Sequence, residues 1–228
     1  RVHGRLVSKS NTSTAIWKFR AAESSINHRW ATRCQVVAHP RFAAAFDTPT
    51  NPGAGAFPPM PEIILNGPSG RLEARYHHAG RIDSPIALIL HPHPQFGGTM
   101  NNPIVYNLYY AFTERGFSVL RFNFRGVGRS QGYFDNGPGE LADAASALDW
   151  LQLQNPDARS CWIAGVSFGT WISMQLLMRR PEIDGFICVA PPANLYDFSF
   201  LAPCPSSGLM VTGGQDRVVP SASLSELA

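Results

Sequence analysis

From residue 61 onward the sequence predicts an α/β fold on a mostly parallel sheet, and three observations carry the prediction. Apolar runs at 85–90, 117–122 and 185–190 have the length and near-continuous hydrophobicity of strands buried on both faces. Segments with helical spacing separate these runs, and alternating strands and helices make a parallel sheet with right-handed crossovers. At the front, two short segments flank a turn rich in Asn, Gly and Pro, which predicts an antiparallel hairpin.

The elements follow in order. Residues 62–65 (EIIL) form a short strand, 66–70 (NGPSG) a turn, and 71–76 (RLEARY) the returning strand, alternating polar and apolar. A strand at 85–90 leads to a helix at 102–114 and a strand at 117–122. Pro138 suits the first turn of the next helix. Leu141, Ala144, Leu148 and Leu151 then lie on one apolar stripe, and Asn155-Pro156 ends the helix. A strand at 161–164, a helix at 168–179, a strand at 185–190 and a last strand at 208–212 complete the pattern. In such a sheet the reactive residues gather at the carboxyl ends of the strands.

Composition narrows the functional class. The chain of 228 residues is 44% hydrophobic and 15% charged, a globular balance. No run of 18 apolar residues is present, so no membrane span is expected. The four cysteines (34, 161, 188 and 204) form neither a CxxC pair nor a metal-ligand spacing. Cys161 and Cys188 lie in apolar runs and read as buried free thiols of a reducing, cytoplasmic compartment.

A boundary lies near Met60. Residues 1–59 carry eight basic and two acidic side chains, show no steady period, and pass into a stretch rich in Pro, Gly and Ala. Met60 is the first methionine, and organised sequence begins just after it. Three readings of 1–59 stay open: a disordered or non-native extension, a transit peptide, or a small folded domain. The division expected is therefore 1–59 as an extension and 60–228 as the folded domain. The scattered arginines lack interleaved aromatics, so no nucleic-acid partner is expected.

Three loops carry chemistry. Gly165-Val166-Ser167-Phe168-Gly169 matches G-x-S-x-G between a strand and a helix. A serine on so sharp a turn needs small neighbours two residues away, and the turn lifts its hydroxyl above the sheet at a helix amino end. The match alone would arise by chance with a probability on the order of 0.1, so the strand-to-helix context is what gives it weight. Asp216 follows the last strand, where a carboxylate can orient an imidazole. The loop His91-Pro92-His93-Pro94-Gln95-Phe96-Gly97-Gly98 follows the 85–90 strand. Its prolines lack N–H groups, so an oxyanion donor must come from His93, Gln95 or Phe96, with Phe168 N–H as the second donor. His91 reads as a structural residue, because the further ligands of a metal site are missing. Phe96, Tyr133 and Phe134 are candidates to line a substrate pocket. The loop at 125–132 (RGVGRSQG) fails G-x-G-x-x-G at Gln131, so no dinucleotide cofactor is expected. It reads as a tight loop whose glycines let backbone pass near the active site.

Together these residues resemble the α/β-hydrolase superfamily, and within it the small bacterial serine hydrolases related to dienelactone hydrolase. The likeness rests on MPEIILNGPSGRLEARY, LILHPHPQFGGTMNN, LRFNFRGVGRSQG, GELADAASALDWLQ, CWIAGVSFGTW and GGQDRVVP. It implies a three-layer sandwich and a Ser-Asp-His triad, with Ser167 as nucleophile and Asp216 as acid. It also implies a last strand and then a histidine after Asp216, followed by a closing helix, whereas this sequence stops at Ala228 and its seven histidines all precede Ser167. On this reading the strand at 208–212 is an unprotected sheet edge. The expected activity is hydrolysis of a small-molecule ester or related acyl bond through an acyl-enzyme, without metal or cofactor, and impaired without the histidine. The alternative is a non-catalytic binding protein on the same scaffold.

Overall fold

The computed structural model describes residues 61–214, 216, 218 and 219, together with the backbone of two strands at 15–19 and 34–38. Those two strands are β1 (Ala15–Phe19) and β2 (Cys34–Ala38). The hairpin is β3 (Glu62–Gly67) and β4 (Gly70–His77), paired antiparallel from Glu62–Arg75 to Gly67–Gly70. Then come β5 (Ile86–Leu90), α1 (Pro103–Thr113), β6 (Ser118–Phe122) and α2 (Pro138–Gln154). The chain continues through β7 (Cys161–Val166), α3 (Phe168–Leu177), β8 (Gly185–Val189) and β9 (Ser207–Gly213). Every element expected after Met60 is present within a few residues of its predicted ends.

The strand order is β1-β2-β9-β8-β7-β5-β6-β4-β3. Strands β5 to β9 pair parallel, and antiparallel pairs flank them at both ends. Alternation along β5 makes three layers. Ile86, Leu88 and Leu90 enter a core with Phe122, Leu148, Ile172 and Leu176, under α2 and α3. Ala87 and Ile89 point the other way, to Val105, Tyr109 and Phe112 of α1. Helix capping agrees with the sequence. Asn102 caps α1 by accepting the N–H of Ile104, with Pro103 at its first position. Pro138 starts α2, and the Glu140 carboxylate reaches back to the N–H of Gly137 at 2.8 Å.

One expectation is corrected. The strand expected to be an unprotected edge, β9, pairs antiparallel with β2 from Cys34–Gly213 to Ala38–Leu209. An edge strand presents a row of unpaired N–H and C=O groups, and the short run CQVVA, with two β-branched residues, meets that demand without the long periodicity that marks a strand in sequence. The remaining parts of 1–59 lie outside the described residues. The 125–132 loop is also fastened to the hairpin. Gln131 Oε1 accepts the N–H of Arg71 at 2.9 Å, and the Gln131 N–H donates to the Arg71 carbonyl at 2.8 Å. Glu73 accepts from Asn123 Nδ2 and from the Arg129 N–H, each at 2.9 Å. Because β4 pairs with β6, the loop leaving β6 meets the hairpin first. Of its glycines, Gly126 passes beside Tyr133 and Phe134.

Cys161 and Cys188 are buried free thiols, and burial pushes each up to about 12. Among the described residues no helix is long and apolar enough to cross a membrane.

Candidate active site

The bend between β7 and α3 is built by steric exclusion. Ser167 has φ of 52° and ψ of −120°, left-handed backbone that a non-glycine residue adopts only when its surroundings over-determine it. A Cβ on Gly165 would lie 2.6 Å from the N of Thr170 and closer still to the Gly169 carbonyl. A Cβ on Gly169 would lie 2.6 Å from the carbonyl oxygens of both Leu90 and His91. Both glycines are thus closed to any side chain by backbone, which cannot move aside. The Ser167 N–H donates to the Val189 carbonyl of β8 at 2.8 Å, and its own carbonyl accepts from the Thr170 N–H and hydroxyl at 2.8 and 2.6 Å. Three hydrogen bonds and two closed glycines fix the backbone, while the side chain stays half-exposed. Ser167 stands immediately before the amino end of α3, where the unpaired N–H groups favour negative charge.

Asp216 lies past the end of β9. Its N–H donates to the Gly213 carbonyl at 3.0 Å, and its Oδ1 accepts the N–H groups of Val218 and Val219 at 2.8 and 3.0 Å. One carboxylate oxygen is therefore taken by the turn. Among the described residues Oδ2 makes no hydrogen bond and is left to reach a further donor.

The loop after β5 narrows the oxyanion candidates. The Gln95 N–H donates to His93 Nδ1 at 3.2 Å, and the Phe96 N–H donates to the His93 carbonyl at 3.1 Å. Both donors are spent inside a short 3-10 turn, Pro94–Phe96, capped by His93. The His93 N–H and the Phe168 N–H have no acceptor among the described residues. The His93 and Phe168 rings lie 4.9 Å apart, so the β5 loop abuts the residue after Ser167.

His91 is fully buried. Its Nε2 accepts the Phe124 N–H at 3.0 Å, so the ring proton sits on Nδ1, which donates to the Pro92 carbonyl at 2.6 Å. Burial lowers its pKa to about 4. Both nitrogens serve the backbone, which leaves no lone pair for a metal.

A model of the family described as serine aminopeptidase, S33, matches residues 104–227, more than half of the chain. The chain belongs to this family of α/β-hydrolases. Among solved structures it is similar to ATU1826 of Agrobacterium tumefaciens, an α/β-hydrolase-fold protein of unknown function, with 66% identity and a TM-score of 0.71 over 73% of this chain and 77% of that one. It is also similar to XC6422 of Xanthomonas campestris, a serine hydrolase without a lid, with 33% identity and a TM-score of 0.67 over 78% and 80% of the two chains. The bovine lysophosphatidylserine lipase ABHD12 is 26% identical over 75% of this chain, which spans 47% of the lipase's length.

Around the elbow of this hydrolase the structure assembles more than the motifs announced. The Phe168 ring is buried and is the hub of an aromatic cluster, with His93, Phe134, Trp171 and Tyr196 at 4.9, 5.8, 5.9 and 5.7 Å. Of the three residues proposed to line a pocket, Phe134 joins this cluster directly. Phe96 stacks on His93 at 4.6 Å but is 85% exposed, and Tyr133 is 89% exposed with no ring contact among the described residues. Trp171 and Tyr196 carry no motif; only the turn of α3 and the return from β8 bring them together, 4.7 Å apart. Beneath the cluster Arg125 and Asp143 form a buried two-armed ion pair at 2.9 and 2.8 Å. The Asp143 hydrogen bonds raise the Arg125 pKa further. Glu140, fully buried, accepts the N–H groups of Asp135 and Gly137 at 2.9 and 2.8 Å. Its position at the third residue of a helix begun by Pro138 is a capping signal present in the sequence.

Proposed function

We propose that this chain carries the nucleophile of a serine hydrolase acting on an ester or related acyl bond. The observation that carries the reading is the left-handed Ser167 between two glycines that backbone closes to any Cβ. Strain of that kind persists only where the surroundings over-determine it, and it clusters at active sites. In the proposed reaction Ser167 Oγ attacks the carbonyl and loses its proton to an imidazole. The N–H groups of Phe168 and His93 receive the developing oxyanion, the imidazole returns its proton to the leaving alcohol or amine as the bond to the acyl carbon breaks, and water then releases the acyl group from Ser167. Asp216 holds the imidazole through its unoccupied carboxylate oxygen. The second reading on the same scaffold is a binding protein that keeps the elbow without turnover.

A fluorophosphonate probe distinguishes the two. Labelling of Ser167, abolished in S167A, is the expected result, and an intact folded protein that resists the probe overturns the enzyme reading. The lipase relatives favour an acyl ester, whereas the aminopeptidase description of the family favours an amide. Matched p-nitrophenyl ester and p-nitroanilide substrates separate these, and faster ester turnover is expected.

A further inference from the structure

The His93 side chain has a place in this site that its N–H does not account for. Its Nδ1 is the acceptor that caps the Pro94–Phe96 turn. Its ring lies within 4.6–4.9 Å of three aromatic rings, Phe96 in its own loop, Phe134 from the loop before α2, and Phe168 from α3. One imidazole thus ties the loop that offers an oxyanion donor to the residue that follows the nucleophile.

We propose that the neutral His93 imidazole is a positioning residue, holding its own N–H and that of Phe168 in register as the two oxyanion donors, and that protonation of this ring releases the loop. The inference rests on the serine-hydrolase reading above. The chemistry is simple. Nδ1 accepts the Gln95 N–H only while it keeps its lone pair; a proton there turns an acceptor into a second donor facing the Gln95 N–H. The turn then loses its cap, and the His93 N–H loses its fixed direction.

Burial lowers the His93 pKa, and Glu140 opposes that shift. Glu140 faces the ring from α2, and His91 lies two residues away in the same loop, held neutral by its own burial. The other packed elements present Phe134, flanked by exposed Tyr133 and Asp135, and Phe168, preceded by Ser167. The ring is therefore neutral at pH 7 and takes its proton on the acid side of the ordinary histidine value.

The test compares wild type with H93N and H93A. Asparagine can accept the Gln95 N–H but does not titrate, whereas alanine does neither. The first readout is the rate of fluorophosphonate labelling of Ser167 from pH 5 to 8. The ratio of wild-type to H93N rate is expected to fall as the pH drops below the ordinary histidine value, and H93A should label at least about fivefold more slowly than H93N at pH 7.5, as for one lost cap. The second readout is the Gln95 amide followed by NMR, which should lose its hydrogen bond with the His93 titration in wild type and stay pH-independent in H93N. A pH-independent rate ratio, or a Gln95 amide blind to His93 titration, overturns the proposal. Absence of labelling in every form instead overturns the serine-hydrolase reading, and the amide titration still decides whether His93 caps the turn.

Discussion

The elbow and the Asp216 turn sit at the same end of one sheet, yet they are held in opposite ways. Strand β5, beside the elbow, is buried at all five positions, and backbone from β5 closes Gly169 to any side chain. Strand β9, which leads to Asp216, has a single fully buried position, Thr212. Among the described residues the Asp216 carboxylate is held by two N–H bonds from its own turn. The elbow is thus fixed by excluded volume in addition to its hydrogen bonds, and the Asp216 carboxylate by hydrogen bonds within its own turn. A catalytic group can be placed either way, but only the first makes its position inseparable from the stability of the fold.

That difference is open to direct attack. The largest effect is expected at the acid. D216N keeps an oxygen for the turn but removes the charge that would orient the imidazole, so on the proposed reading the hydrolytic activity of protein that contains the histidine should fall by about 10⁴-fold. The urea midpoint should change little, as for a surface substitution worth within about 0.5 kcal/mol. A large loss of stability would mean that the turn is structural after all.

On the elbow side the expected losses are in stability. D143A leaves the Arg125 guanidinium buried without its partner and should cost about 3–5 kcal/mol in urea unfolding. Acid should cost nearly as much through His91. Its ring is buried with a pKa of about 4 against an ordinary 6.5. The unfolded chain therefore binds a proton that the folded one refuses, and stability is full above pH 6.5 and lost as the pH falls toward 4. The difference is worth about 3 kcal/mol, measured as the change in unfolding free energy between pH 7 and pH 4 and diminished in H91N. G169A bears on the elbow itself: its methyl would lie 2.6 Å from the Leu90 and His91 carbonyl oxygens, which cannot move aside, so the cost should reach the upper end of overpacking, about 3 kcal/mol or more. Because those carbonyls belong to the strand and loop that set the oxyanion donors, Ser167 labelling should slow as well. Unchanged labelling in G169A would show that the elbow tolerates more than steric exclusion allows.

How much of this was legible in the sequence follows the range of each interaction. The order of strands and helices after Met60 rests on periodicity and turn residues, which act over a few neighbours, and it was readable. The same holds for Ser167, whose need for small flanking residues is written two positions away on each side. That the N–H groups of Gln95 and Phe96 are spent within the loop was not readable, because it depends on the 3-10 turn that consumes them. Trp171 and Tyr196 were silent, since two rings 25 positions apart in the sequence meet only after α3 and β8 have packed. The β2 strand was hidden for the same reason. Five residues without a long alternating pattern become a strand when a partner edge is offered.

The sequence by itself determined the alternation that folds into a parallel sheet, the bend that must contain a strained serine, and the carboxylate after the last parallel strand. Those are consequences of local covalent geometry and of apolar spacing, and they hold wherever the chain goes. Only the tertiary structure decided that backbone from β5 closes Gly169, that His91 is locked between two main-chain groups, that Arg125 is buried against Asp143, and that β9 does not end the sheet. Each of these needs groups far apart in the chain to arrive at one point, and exclusion and desolvation act only once they have arrived.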